Sequence, residues 1–226
     1  ASTRLYLGHL VDGGPAAQKW IVTVIVGNPN LDAPAPVKIS FYNDAGQPLP
    51  LNFGQGASAE LNFTVPAGGV KILNSLGASP TAVQGWAILE TPDAPNATPP
   101  VYASPVTATV LFKATQEGGQ VWDVASPGTG STHYFYSYAN GDLGLALANP
   151  NAAATINLQI VARNEDGTTP GGPYPVSIPP LNHRAFNLYG PTIGLPRSFS
   201  GHIAILSTDA TPLPFVALAL NFRNPV

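Results

Sequence analysis

The stretch Val24–Gly46, VIVGNPNLDAPAPVKISFYNDAG, returns at equal length and without a gap as Leu145–Gly167, LALANPNAAATINLQIVARNEDG. Asn28-Pro29-Asn30 matches Asn149-Pro150-Asn151, and Asn43 and Gly46 match Asn164 and Gly167. Between them Val37, Ile39 and Phe41 correspond to Leu158, Ile160 and Ala162. Apolar residues at every second position mark a strand with one buried face. Asn-x-x-Gly then marks a hairpin turn whose glycine is free to take positive φ. A chain that carries this strand pair twice is predicted to be two copies of one β-domain.

The correspondence extends in both directions. Val22, Val24 and Val26 are matched by Leu143, Leu145 and Leu147. Phe63 and Val65 precede Pro66 as Val176 and Ile178 precede Pro179. Gly85 and Gly201 centre two further apolar runs, in which Trp86 and His202 share a position. Val106, Ala108, Val110 and Phe112 are read as the partners of Val216, Leu218, Leu220 and Phe222. Turn signals recur at about the 8–12-residue spacing of β-sandwiches, and no segment has helical periodicity. The predicted fold is all-β: two tandem Ig-like antiparallel β-sandwich domains, residues 1–114 and 132–226. Residues 115–131, TQEGGQVWDVASPGTGS, lack alternation and are predicted to be the linker, with Val121-Trp122 packed at the junction.

Composition narrows the classes of function. The 226 residues are 44% hydrophobic but only 9% charged, the reverse of a disordered chain. The 25 Pro and 23 Gly fall between apolar runs, as punctuation of many short strands. Net charge is −3 and no run of Lys or Arg occurs, which speaks against nucleic acid and anionic membrane as partners. No apolar run approaches the roughly 20 residues of a membrane-spanning helix, so no membrane span is predicted. There is no Cys, hence neither a disulfide nor a thiolate metal site, and no Met, even at the first position. Ala1-Ser2 reads as a processed start, consistent with a secreted or cell-surface protein.

The order apolar strand, -NP-, strand, N-x-x-G turn, Pro-bearing turn, Gly-centred strand and terminal -F-[KR]- resembles a tandem Ig-like β-sandwich repeat module of secreted and cell-surface bacterial proteins. The segment YANGDLGLALANP of the second copy is similar to the entry of that module. The resemblance covers nearly the whole chain. It implies an extracellular building block, structural or adhesive, with no catalytic residues to carry over.

The residues themselves point the same way. The four histidines, His9, His133, His183 and His202, have no metal-ligand spacing, and no G-x-S-x-G elbow occurs. No catalytic set, cofactor site or metal site is predicted. The turn aspartates lack the D-x-D-x-D-G order of a calcium loop and suit backbone hydrogen bonding. Tyr134, Tyr136 and Tyr138 share one strand face and form the candidate glycan-stacking surface. Gly144, Ala146 and Ala148, with Ala217 and Ala219, form the candidate self-association face. Such small residues are unusual on a strand face left to solvent, so the face is expected to be covered, by a second subunit or a neighbouring surface protein or else by the protein's own loops or its first copy. An extended segment such as residues 1–10 is a candidate to complete a neighbour's sheet. Asn62 and Asn96 head N-x-[ST] sequons and are candidate N-glycosylation sites. The expected function is a non-enzymatic structural or adhesive protein, a self-assembling filament subunit, with a carbohydrate-binding module as the alternative.

Overall fold

A computed structural model describes residues 3–92, 105–117, 119, 121–140 and 142–221. Among the described residues there is no helix, and every strand pairing is antiparallel. The chain divides into two compact units, Ala1–Gly130 and Ser131–Val226.

Unit 1 begins with β1 (Thr3–Asp12), β2 (Gln18–Gly27) and β3 (Ala35–Asn43). The short pair β4 (Leu51–Asn52) and β5 (Ala57–Ser58) follows, then β6 (Glu60–Val65), β7 (Val70–Asn74), β8 (Val83–Thr91), β9 (Thr107–Gln116) and β10 (Val121–Pro127). One sheet has the order β1-β8-β3-β6 and the other β10-β9-β2-β7. Their facing sides are the alternating residues of each strand. Val22, Val24 and Val26 come from one sheet, and Val37, Ile39, Phe41 and Leu89 from the other, all buried.

Unit 2 comprises β11 (Tyr134–Asn140), β12 (Leu143–Ala148), β13 (Ile156–Asn164), β14 (Tyr174–Ile178), β15 (His183–Asn187), β16 (Ser200–Ser207) and β17 (Val216–Asn221). Its sheets are β11-β16-β13-β14 and β15-β12-β17. They share one core in which Leu145 and Leu147 meet Leu158, Ile160, Ile203 and Ile205. Leu188, Ile193, Leu195 and Phe199 add the connection before β16 to that core. The layout is that of unit 1 strand for strand, and among the described residues β4, β5 and β10 have no counterparts.

The layout differs from the immunoglobulin constant arrangement, in which the first strand joins the second, fifth and fourth. Here the seven shared strands keep the pairing of second with fifth and of third with sixth. The first strand pairs with the sixth and the seventh with the second, so the terminal strands have exchanged sheets. The fourth strand lies beside the third.

Two expectations are corrected here. Residues 115–131 are not a linker: β10 pairs along β9 from Val121↔Thr115 to Pro127↔Thr109. The Gly119 turn reverses the chain, with Gly119 N–H donating to Gln116 at 3.1 Å. Val121 is exposed. The segment expected to complete a neighbour's sheet is already in use, because Thr3–Asp12 pairs with β8 around a bulge between Leu7 and Leu10.

Candidate functional site

The motif that defines the repeat is a clamp. Asn28 is buried where β2 ends, and its Nδ2 donates to the carbonyls of Ala33 (2.9 Å), Pro66 (3.2 Å) and Val65 (3.3 Å). Asn149 repeats this on Ala154 (2.8 Å), Ile178 (2.9 Å) and Pro179 (3.0 Å). Each Oδ1 accepts the N–H of the second asparagine, Asn30 at 3.1 Å and Asn151 at 2.9 Å. One buried amide thus ties together the carbonyls of two chain segments and meets its own hydrogen-bonding need, as buried polar groups require. The sequence marks the position by repeating it, but a turn asparagine and a buried clamp look alike there.

The hairpin turns form as predicted. Gly46 (φ 72°) and Gly167 (φ 83°) donate their N–H to the carbonyls of Asn43 and Asn164. Gly85 and Gly201 have another purpose. A Cβ on either would lie 1.9 Å from the Tyr42 carbonyl oxygen or 2.0 Å from that of Arg163. Only glycine lets those strands pair so closely.

The tyrosine face is on β11, the edge of its sheet. Tyr134, Tyr136 and Tyr138 are 55%, 56% and 56% exposed. Same-face residues on a strand repeat about every 6.8 Å along the main chain. Tyr136 stacks at 4.9 Å on the His202 ring of β16. Tyr138 Oη lies 3.0 Å from Ser200 Oγ, and Ser200 in turn donates to the Glu165 carboxylate, so the phenol donates to the serine. Register places His202 beside Arg163 of β13, and Arg163 donates to Thr169. An aromatic edge therefore runs beside a row of hydrogen-bonding groups. In unit 1 the matching face carries Arg4, paired to Glu90 at 2.7 Å, and a buried Tyr6 against Trp86.

The candidate self-association face does not exist as one surface. Ala217 and Ala219 stand in register with Leu147 and Leu145 and pack on the core. Gly144, Ala146 and Ala148 point to the other side, opposite Leu220, Leu218 and Val216, and Ala146 and Ala148 are buried. The strand matching was one residue out, which inverts every side chain. The inward residues matching Val106, Ala108, Val110 and Phe112 are Phe215, Ala217, Ala219 and Asn221.

Asn62 is exposed on edge strand β6, beside a shallow depression of about 320 Å³ lined by Pro36, Lys38, Phe63 and Thr64. A similar depression of about 270 Å³ lies on the matching strands of unit 2, against Gln159, Pro175 and Ser177. Asn96 lies outside the described residues. Among the described residues no group of three His, Asp or Glu could hold a metal ion.

Unit 1 also buries a carboxyl group paired with a hydroxyl. The Ser75 hydroxyl donates to the Asp12 carboxylate and accepts the N–H of Val22 at 2.8 Å. Burial pushes the Asp12 carboxyl above its ordinary value, opposed by the Ser75 hydroxyl, main-chain N–H groups and the Lys19 charge. No family model matches the chain, and a search of curated proteins likewise finds no match.

Proposed function

We propose that the chain is a non-enzymatic structural or adhesive protein of the extracellular surface, built of two Ig-like sandwich modules in tandem and associating with copies of itself. The observation that carries this reading is what the units share. Both have the asparagine clamps, the turn glycines and the glycines under Tyr42 and Arg163, all of which hold strands together. The exposed tyrosines of β11 distinguish the surface of unit 2. A scaffold keeps its framework and varies its faces. The extracellular setting rests on the resemblance of the repeat to secreted bacterial modules. Light scattering across a concentration series tests association: growth in mass is expected, and a strict monomer at high concentration defeats the reading.

A second reading, a carbohydrate-binding module, is favoured by the tyrosine face. Exposed rings in a line offer stacking surfaces for sugar faces, and the neighbouring Ser200, Glu165 and Arg163 offer hydrogen-bonding partners for hydroxyls. Binding on a glycan array that is lost in Tyr134→Ala/Tyr136→Ala/Tyr138→Ala is the expected result. An array without signal discards it.

A further inference from the structure

We infer that Asn62 is a glycosylation site, which takes an N-linked oligosaccharide from a diphosphate-activated donor. The inference rests on the extracellular setting proposed above and goes beyond it by naming the modified atom, Nδ2 of Asn62.

The fold leaves this side chain unused. Among the described residues of unit 1, Asn28, Asn30, Asn43, Asn52 and Asn74 each hold a hydrogen bond through the side-chain amide. The Asn62 side chain makes none, and the residue is exposed on β6. Lys38, opposite Asn62 in register, is engaged by Glu60 at 2.7 Å rather than by the amide. A substituent on Nδ2 therefore breaks no contact of the sandwich.

Strand geometry completes the acceptor. Asn62-Phe63-Thr64 is an N-x-T triplet. Side chains two apart share one face of a strand, so the Thr64 hydroxyl stands on the same side as the Asn62 amide, and Thr64 is exposed too. Asn62 and Thr64 line the depression of about 320 Å³ together with Pro36 and Pro92, which gives the first sugar apolar rings to lie against. Unit 2 lacks the acceptor. The residue opposite Gln159, as Asn62 is opposite Lys38, is Pro175, and residues 131–226 contain no N-x-[ST] triplet.

The step balances without redox chemistry. Asn62 Nδ2 attacks the anomeric carbon of the donor sugar. The C–N bond forms as the C–O bond to diphosphate breaks, diphosphate leaves with its carrier, and one amide proton passes to a base of the transferase. The product adds hydrated surface to a chain of which only 9% is charged. It also keeps the outward side of β6 from packing on another copy, which leaves self-association to other faces.

The test is the mass of the tryptic fragment 39–71 of protein purified from its natural cells. Cleavage after Lys38 and Lys71 separates Asn62 from Asn96. Expected is a fragment heavier than its sequence by whole sugar residues, which electron-transfer fragmentation places on Asn62. A fragment found only at its sequence mass overturns the site, as does sugar carried instead on Ser58 or Thr64. Asn62→Gln and, separately, Thr64→Ala, made in the same cells, are each expected to lose the added mass. Sugar that persists on Asn62 in Thr64→Ala overturns transfer directed by the triplet. Cell fractionation keeps the inference apart from the reading beneath it. An unmodified chain outside the cell overturns the glycan alone, and a chain confined to the cytoplasm overturns both. The wild-type fragment is read directly, so the result stands even if a variant fails to fold.

Discussion

Where the strand after the clamp returns to the core, unit 1 carries Ser75 and unit 2 carries Leu188. Each donates its N–H to the strand beside it, Ser75 to Val22 at 2.8 Å and Leu188 to Leu143 at 3.1 Å. The main chain is the same and the side chain differs in kind. Unit 1 spends this buried position on a hydroxyl and the carboxyl of Asp12, unit 2 on a hydrocarbon. Main-chain geometry is therefore the constant of the repeat, and the polarity of its buried positions is a variable.

The comparison can be broken first at its glycines. Gly201→Ala and Gly85→Ala each place a Cβ inside a carbonyl oxygen, and each is expected to cost its own unit about 4 kcal/mol or more. Hydrogen exchange during denaturant titration reads the units separately. A mild effect in either would mean that the close approach is not shared. Asn149→Ala and Asn28→Ala come next. Each removes three hydrogen bonds from a buried amide to loop carbonyls, at about 3 kcal/mol, and costs that differ severalfold would show that the clamps are not equivalent.

A smaller effect separates the units by pH. The raised Asp12 value means that the folded chain holds this proton more tightly than the unfolded one. Its contribution is complete below the ordinary carboxylate value of about 3.9 and is lost as pH rises through the folded value. Asp12→Asn should therefore gain on wild type as pH climbs through the acid range, in unit 1 alone, because Leu188 cannot titrate. Parallel stability curves for the two proteins would refute it. The smallest effect belongs to Arg4→Ala, whose ion pair with Glu90 is largely exposed and worth about 0.5 kcal/mol or less by urea denaturation. A larger loss would mean that this face is held by charge.

The duplicated strands, the Asn-x-x-Gly hairpins and most core positions were legible because each is a local pattern. Val22, Val24 and Val26 alternate with Ile21, Thr23 and Ile25, and burial follows that alternation. Strand order was not legible. The exchange of β11 and β17 between sheets depends on contacts far apart in sequence, which no local period encodes. The register of β17 failed for a different reason. VALALN is apolar on both faces, with the larger residues outward, so hydrophobicity alone selects the wrong side. β10 was missed because its few alternating residues lie between glycines and a proline. Of the candidate sites, the tyrosine face was readable from spacing alone.

The clamp asparagines also bear on how the molecule ages. Asparagine commonly deamidates when the main-chain nitrogen of the following residue attacks its side-chain amide. Asn28 and Asn149 are each followed by proline, whose nitrogen carries no hydrogen and is closed to that ring formation. The two clamp side chains are thus shielded from the commonest spontaneous damage to their residue type.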